Sequence, residues 1–122
     1  MNRYMVLQVK LNSEIRNRVN KLGWDGAIEE IPKVKTYLDV THKGSEAFEK
    51  TMSSDYEIVG FVFGDNLEDA CRRSNLGYTS CIDNFTGNMH SLSVGDILVE
   101  SSESIWMVDQ FGFSKVEIRH KD

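Results

Sequence analysis

Two polar stretches in the second half of the chain carry most of the side chains that could hold a charged ligand. Two arginines stand near the end of a predicted helix, and a loop of hydroxyls, amides and aromatic rings follows them. Guanidinium groups bind phosphate, serine and threonine hydroxyls bind phosphate or ribose oxygens, and aromatic rings stack on bases. This mixture indicates a nucleotide pocket, for which the candidate residues are Arg72, Arg73, Asn75, Tyr78, His90, Ser91, Ser93 and Trp106.

The same residues also have an ordinary structural interpretation. Connecting segments are polar by default, because their side chains satisfy backbone groups. Arg72 and Arg73 can be surface charges that favour a helix C-terminus, and Trp106 lies in a strand pattern that suits a core. Both interpretations remain open on the residues alone.

Signatures of catalysis and of metal binding are missing from the sequence. It contains no P-loop, no glycine-rich dinucleotide fingerprint, no H-E-x-x-H and no G-x-S-x-G. The three histidines, His42, His90 and His120, have no partner at metal-ligand spacing, and we expect His120 to be a solvated tail residue. We therefore predict a binding protein with no catalytic residue, no metal and no cofactor.

Composition and charge narrow the class of protein further. The 122 residues predict one domain over 1–122, and 40% hydrophobic with 27% charged residues is typical of a globular protein. A net charge of −5 without a basic run argues against duplex nucleic acid as a partner. No run is apolar enough to span a bilayer and no signal-peptide pattern is present, which predicts a cytoplasmic protein without a membrane partner. In that compartment we expect Cys71 and Cys81 to be buried thiols.

The first third predicts a strand followed by helices. Alternation over residues 4–11 indicates a strand whose apolar face is Met5, Leu7, Val9 and Leu11. Asn12-Ser13 caps a helix that Gly23 ends, and Trp24-Asp25-Gly26 forms a turn. Pro32 begins a second helix that ends near Gly44, and residues 45–52 are weakly helical. Residues 24–54 could include a mobile flap.

The remainder predicts a strand, a helix and an antiparallel meander. Residues 56–63 form the strand, and Asp65-Asn66 caps a helix that ends at residues 75–77. Residues 97–100 and 105–108 form a hairpin with a four-residue loop, and residues 115–118 add a third strand. We expect Gly95 to need a positive φ and at least one ring of Phe111 and Phe113 to be fully buried. The fold class is α+β, with the meander as its organising element and the helices on one face of the sheet.

The meander also carries a resemblance. The string NMHSLSVGDI at 88–97 is followed by Trp106-Met107-Val108 and by Phe111-Gly112-Phe113. It resembles the H-S-x-S-x-G-D motif, aromatic strand and G-F of small proteins of tailed bacteriophages, and residues 65–77 resemble theirs as well. On these residues, which cover the second half of the chain, the sequence is similar to the phage anti-CBASS sponge family. The G-D turn is shared with YodL-like domains of mobile elements.

The resemblance implies a function and an assembly. Sponges of this kind sequester a cyclic nucleotide immune signal in the host cytoplasm without cleaving it, for instance a cyclic dinucleotide such as 3′3′-cGAMP. It further implies a homo-oligomer, most simply a tetramer, with recessed pockets between subunits. Two alternatives remain: a protein–protein inhibitor of a host defence enzyme, and a small hydrolase of the same signal.

Overall fold

Helices and an antiparallel sheet alternate along residues 1–119, which the computed structural model describes. Short 3₁₀ helices at Gly44–Glu46, Lys50–Asp55 and Thr79–Cys81 link the longer elements. The longer elements are β1 (Asn2–Val9), α1 (Ser13–Glu30), α2 (Pro32–Lys43), β2 (Tyr56–Gly64), α3 (Leu67–Asn75), β3 (Ile82–Asp83), β4 (Ile97–Ser101), β5 (Ser104–Val108) and β6 (Phe113–Lys115). This arrangement confirms the predicted α+β class.

The first strand lies at the centre of the sheet. The strand order is β3-β2-β1-β4-β5-β6, and every neighbouring pair is antiparallel. β1 pairs with β2 along its whole length and with β4 on its other side. The meander β4-β5-β6 is therefore present as predicted, but it forms one half of a sheet that is organised around β1.

Both faces of the sheet are covered, although not to the same extent. On one face, Tyr4 and Val6 are buried with Leu98 and with Ala70 of α3. On the other face, Leu7 and Ile97 are buried with Val40 of α2. Successive strand residues point to opposite faces, so α2 and α3 pack on opposite sides of the sheet. The expectation of helices on one face is wrong.

Burial within β1 follows from this two-sided packing. Tyr4, Val6 and Gln8 are almost completely buried, whereas Met5, on the predicted apolar face, is only half-buried. The prediction of a single apolar face is therefore wrong, because a central strand contacts a core on both sides.

The helix caps are confirmed, whereas the turn after Gly23 is not. The Asn12 side chain accepts a hydrogen bond from Ile15 N at 2.8 Å, and Pro32 occupies the first turn of α2. Gly23 has a φ of 74° and interrupts the helical backbone, but the helix resumes at Trp24 and continues to Glu30. Gly23 thus ends one helical segment, and the predicted turn at residues 24–26 is helical.

Two 3₁₀ helices replace the weak helix expected over residues 45–52. Phe48 and Met52, the predicted apolar anchors, pack against the cluster around Val40. Tyr56 contacts the Phe48 ring edge-on, with ring centroids 5.8 Å apart. The segment between α2 and β2 is therefore fixed to the sheet by these apolar contacts.

The meander differs from its prediction in three details. Ser101 pairs with Ser104, so the β4-β5 loop contains two residues rather than four. β6 spans Phe113–Lys115, which begins two residues earlier than the predicted range of 115–118 and shares only Lys115 with it. Phe111 is 95% exposed and Phe113 is only partly buried, so the expected fully buried ring is absent at both positions. Gly112 turns the backbone between them with a φ of 72°.

Three smaller points complete the fold. Across residues 1–119, no helix is both long and apolar enough to cross a membrane. Cys81 is buried and Cys71 partly buried, both as free thiols. The prediction for His120 lies outside the described residues.

Candidate functional site

Two side-chain amides hold the segment that precedes the glycine-aspartate turn. The Nδ2 of Asn75 donates to Leu92 O at 3.1 Å, and Leu92 N donates to Asn75 Oδ1 at 2.8 Å. Gln8 makes the same pair with His90: its Nε2 donates to His90 O at 3.0 Å, and His90 N donates to its Oε1 at 3.2 Å. The backbone of His90 and Leu92 thus receives strand-like hydrogen bonds from side chains. Burial of the Leu92 side chain in the core accompanies this arrangement.

The turn that follows is closed by its own aspartate. Asp96 Oδ2 accepts from Ser93 N at 3.0 Å and from Gln8 Nε2 at 3.1 Å. Gly95 has a φ of 97°, and a Cβ at this position would lie 2.9 Å from Val40. The expected positive φ at Gly95 is therefore confirmed, and the close approach to α2 adds a second reason for glycine.

Burial changes the acidity of both titratable groups in this network. It raises the pKa of Asp96 to about 7, although the bonds from Ser93 N and Gln8 favour the carboxylate. The pKa of His90 is lowered, again chiefly by burial. His90 Nδ1 lies 2.8 Å from Ser91 O, which can only accept, so the hydrogen-bond pattern assigns the proton to Nδ1. The two hydrogens of Gln8 Nε2 then go to His90 O and Asp96.

The predicted arginines share a single carboxylate within their own helix. Arg72 Nη2 and Arg73 Nε donate to the same Asp69 oxygen at 2.9 and 3.0 Å. The hydrogen bond from Asp65 N and that from Arg73 lower the pKa of Asp69 to about 2. Both guanidiniums therefore carry a local counter-charge before any ligand arrives.

The other predicted site residues lie apart from one another. Tyr78 is 49% exposed beyond the end of α3, and Ser91 is exposed beside His90. Trp106 pairs with Leu98 in the sheet, and its Nε1 donates to Ser104 Oγ at 2.9 Å. The structure thus brings Asn75, His90 and Ser93 around one short segment.

The cavity at this segment is small. It has a volume of about 40 Å³, and its lining includes His90, Ser93 and Asp96. Ligand pockets usually measure about 300–1,000 Å³. Ser93 and His90 therefore border a space that is far smaller than a nucleotide needs.

A larger groove lies on the opposite face of the sheet from α3, where α2 does not cover the strands. We call it the sheet groove; it has a volume of about 580 Å³ and is mostly apolar. Met5, Phe61 and Val99 belong to its lining, as do the guanidinium-bearing Arg3 and Arg119. Its size is that of a small-molecule site.

The charges of the sheet groove differ from those of α3. Across residues 1–119, no carboxylate oxygen lies within 4.0 Å of the guanidinium nitrogens of Arg3 or Arg119. By contrast, Arg18 is paired with Glu30 at 2.7 Å. Two arginines beside an apolar surface can bind an anion without first breaking an ion pair. Glu57 and Glu100 also line the groove, so its charge is mixed.

Aromatic rings lie beside one of these cations, Arg3. The Arg3 guanidinium carbon lies 4.7 Å from the centroid of the Phe61 ring, within cation–π range. Phe85, which is 59% exposed, lies 5.8 Å from Phe61, measured between ring centroids. An aromatic ligand could thus meet both a ring and a guanidinium here.

Sequence reasoning missed Arg3, Phe61 and Arg119. Arg3 precedes Met5 and Leu7 at strand spacing, which is the one local signal that it borders an apolar surface. Phe61 pairs with Met5 across β1 and β2, and such a register cannot be read from one strand alone. Arg119 follows an irregular segment whose position depends on the whole meander.

Neither a group of metal ligands nor a similarity to known proteins gives further information on this site. Within the described part of the chain, no three histidine, cysteine or acidic side chains are grouped as metal ligands. A scan against protein-family models, a search of curated proteins and a search of solved structures each found no match.

Proposed function

We propose that the chain is a non-catalytic protein that binds and sequesters a cyclic nucleotide immune signal, and that the ligand lies in the sheet groove. The observation that carries the proposal is the pair of arginines, Arg3 and Arg119, that border an apolar groove of about 580 Å³ without a carboxylate partner among the described residues. The resemblance to the anti-CBASS sponge family supports an immune signal as the ligand.

The groove matches the three chemical parts of a nucleotide. The guanidiniums of Arg3 and Arg119, which have no carboxylate partner within residues 1–119, can bind phosphate oxygens through charge-assisted hydrogen bonds. The Phe61 ring and the apolar floor can contact a base, since base–aromatic stacking contributes about 1–3 kcal/mol. The exposed hydroxyls of Ser101 and Ser102 line the same groove and can bind ribose or phosphate oxygens.

Sequestration of a signal requires a high affinity for it. A protein that competes with a host receptor at low signal levels needs a dissociation constant near nanomolar, about −12 kcal/mol. A base stacked on Phe61 and two charge-assisted phosphate contacts can supply part of this free energy. The residues predicted from the sequence, chiefly Arg72, Arg73 and Tyr78, form an alternative site for the ligand. Titration of single variants distinguishes that site from the sheet groove.

Calorimetric titration tests the function and its location together. Wild type, Arg3→Ala and Arg119→Ala are titrated with cyclic dinucleotides, cyclic trinucleotides and cyclic ADP-ribose isomers. Loss of one charge-assisted bond of about 1.5–3 kcal/mol should weaken binding roughly ten- to a hundredfold. Arg72→Ala and Arg73→Ala should bind like wild type, and Arg18→Ala is the control for loss of one positive charge.

Each possible result points to one conclusion. If wild type binds none of these ligands, the sequestration proposal fails. If only the Arg72 and Arg73 variants weaken binding, the ligand lies at the end of α3 and not in the groove. Ligand recovered intact from heat-denatured protein supports sequestration, whereas a cleaved product supports the hydrolase.

One observation favours the protein–protein inhibitor as a second candidate. Phe111 is 95% exposed at the apex of a turn that Asp109 N and Gly112 O close at 3.0 Å. Gln110 Nε2 fixes the turn to His42 O at 2.7 Å. An aromatic side chain on a rigid turn is typical of an interface anchor. Replacing Phe111 with serine should abolish binding to a host defence enzyme if this candidate is correct, and should leave nucleotide affinity unchanged.

A further inference from the structure

Three side chains that can carry a positive charge lie together outside the sheet groove: Lys10, Arg16 and His90. Gln8 binds the His90 backbone, and Lys10 lies two residues further along the same extended segment, on the same side as Gln8. Arg16 Nε donates to Leu11 O at 2.8 Å, which brings its guanidinium to the segment that carries Lys10. Side chains from β1, α1 and the segment before β4 are thus gathered in one place.

These three groups raise the cost of each other's positive charge. Burial lowers the pKa of Lys10, and the Arg16 charge lowers it further. Burial also lowers the pKa of His90; a hydrogen bond to Ser91 opposes this effect, whereas Lys10 and Arg16 add to it. Like charges destabilise the charged form of a neighbour, and an anion bound among them removes this repulsion.

Carboxylates do not cancel the positive charge of the group. Across residues 1–119, no carboxylate oxygen lies within 4.0 Å of the side-chain nitrogens of Lys10 or Arg16. Asp96 and Glu57 act on the pKa of Lys10 in the opposite direction, but each of them less than Arg16 does. Asp96 Oδ2 is 4.0 Å from His90 Nδ1, and burial raises the pKa of Asp96 to about 7. Below neutral pH an excess of positive charge therefore remains.

Hydrogen-bond donors for an anion are available beside these charges. His90 Nδ1 donates to Ser91 O at 2.8 Å, and the imidazole is 40% exposed. Across residues 1–119, neither His90 Nε2 nor Ser91 N makes a hydrogen bond. Protonation of Nε2 adds a third cationic donor to the two basic side chains, and cationic donors make strong hydrogen bonds to oxyanions.

We propose that Lys10, Arg16 and His90 form a binding site for a doubly charged oxyanion, either inorganic phosphate or the terminal phosphate of a monoester. A phosphodiester carries a single charge on each phosphate, so the cyclic nucleotides of the sheet groove are a different class of ligand. The anion draws a proton from solvent onto His90 Nε2 as it binds. The site goes beyond the sequestration function and does not depend on it.

Sulfate is the probe for this site, because it stays doubly charged over the whole range in which His90 titrates. Binding is followed through the amide chemical shift of Ser91 in NMR spectra, at an ionic strength held constant with sodium chloride. Wild type should show saturable binding. Lys10→Gln and Arg16→Gln should each weaken it about tenfold. Lys115→Gln, an exposed change on β6, is the matched control for loss of one positive charge and should bind like wild type.

The pH dependence reports on His90. Wild type should bind sulfate more tightly at pH 6 than at pH 8, because His90 gains its proton and Asp96 loses its negative charge as the pH falls. His90→Asn keeps a donor at the place of Nδ1 but has no group that gains a proton. This variant should bind more weakly at pH 6 and lose most of the pH dependence, and Asp96 accounts for the remainder.

A comparison of inorganic phosphate with glycerol 3-phosphate at one pH identifies the source of the anion. Tighter binding of the ester assigns the site to a phosphate monoester, and tighter binding of the free ion assigns it to inorganic phosphate. The proposal is overturned if sulfate shows no saturable binding up to tens of millimolar, or if the Lys10 and Arg16 variants bind like wild type. An unchanged pH dependence in His90→Asn likewise removes His90 from the site. Nucleotide titrations test the sheet groove, so either proposal can fail while the other stands.

Discussion

The Asp96 side chain closes the turn before β4, although burial of its carboxylate costs free energy. The residue is 5% exposed, and its carboxylate oxygen accepts hydrogen bonds from Ser93 N, which closes the turn, and from Gln8 Nε2. A buried carboxylate is disfavoured in its charged form, which is why its pKa rises to about 7. Lys10 offers only a distant opposing charge, as a smaller influence on the same pKa.

The raised pKa predicts a pH-dependent stability. The folded chain holds a proton on Asp96 up to about pH 7, whereas an unfolded aspartate loses it near pH 4. The folded state therefore binds more protons in this window, and its free energy of unfolding falls as pH rises from about 4 to 7. Asp96→Asn stays neutral and should remove this fall, which makes the variant relatively more stable at pH 8 by on the order of 1–4 kcal/mol.

Urea unfolding of both proteins at pH 5 and pH 8 measures the effect. Asparagine can present its carbonyl oxygen to Ser93 N and Gln8, so the two accepted bonds survive the change. His90 Nδ1 lies 4.0 Å from Asp96 Oδ2, so the same comparison in a His90→Asn background removes the titration of His90 from the difference. A difference in stability that is the same at both pH values contradicts the shifted pKa of Asp96.

At the scale of elements, the motif at 88–97 has a structural account. His90 and Leu92 are bound through their backbone by Gln8 and Asn75, and the glycine and aspartate close the turn before β4. Within residues 1–119 no strand pairs with this segment, so these side chains bind backbone groups that would otherwise be unpaired. The motif thus attaches α3 and β1 to the start of the meander.

Removing the two hydrogen bonds between the Asn75 side chain and the Leu92 backbone should lower the free energy of unfolding. Asn75→Ala leaves Leu92 N and O without their partner, and each unsatisfied group costs about 1–3 kcal/mol where water does not replace it. We expect the free energy of unfolding to fall by about 1–3 kcal/mol in chemical denaturation. Asn20→Ala, an exposed position on α1, is the matched control. Equal stability of the two variants would show that the hydrogen bonds of Asn75 do not stabilise the fold.

Local sequence patterns predicted where the helices and strands lie better than which of them pair or pack together. The Asn12 cap, Pro32 at the start of α2 and the positive φ of Gly95 follow from short-range chemistry, and each was correctly predicted. The central place of β1 depends on pairing with residues some 50 and 90 positions away, which alternation in one strand does not encode. A polar Gln8 within an otherwise apolar strand indicates a long-range polar contact, which the structure shows with His90 and Asp96.

The candidate site was harder to predict for the same reason. Arg72 and Arg73 were predicted to bind the ligand because a polar loop follows them in the sequence. In the structure Asp69, one helical turn away, pairs with both. Arg3 and Arg119 stand near opposite ends of the described chain and border one groove only because β1 lies at the sheet centre. Sequence proximity therefore indicated the two arginines that share Asp69 and missed the two that border the groove.

At the scale of the whole molecule, the sheet groove is open on one side. A ligand that lies on the floor formed by Met5 and Phe61 keeps one face in solvent, and an exposed face contributes little burial. Near-nanomolar affinity is easier to reach when the ligand is enclosed, because water is then excluded from its charged contacts. A second copy of the chain is the simplest source of the missing cover.

We therefore predict a homo-oligomer that ligand binding stabilises, and the resemblance to the sponge family implies a tetramer. Light scattering of wild type at micromolar concentration, with and without saturating cyclic dinucleotide, measures the mass directly. A ligand enclosed between copies binds only the assembled state, so by mass action it should lower the concentration at which the oligomer forms. Phe61→Ala, which removes a floor ring without altering charge, should reduce this shift. A strict monomer under both conditions would contradict the prediction and would place the whole site on one chain.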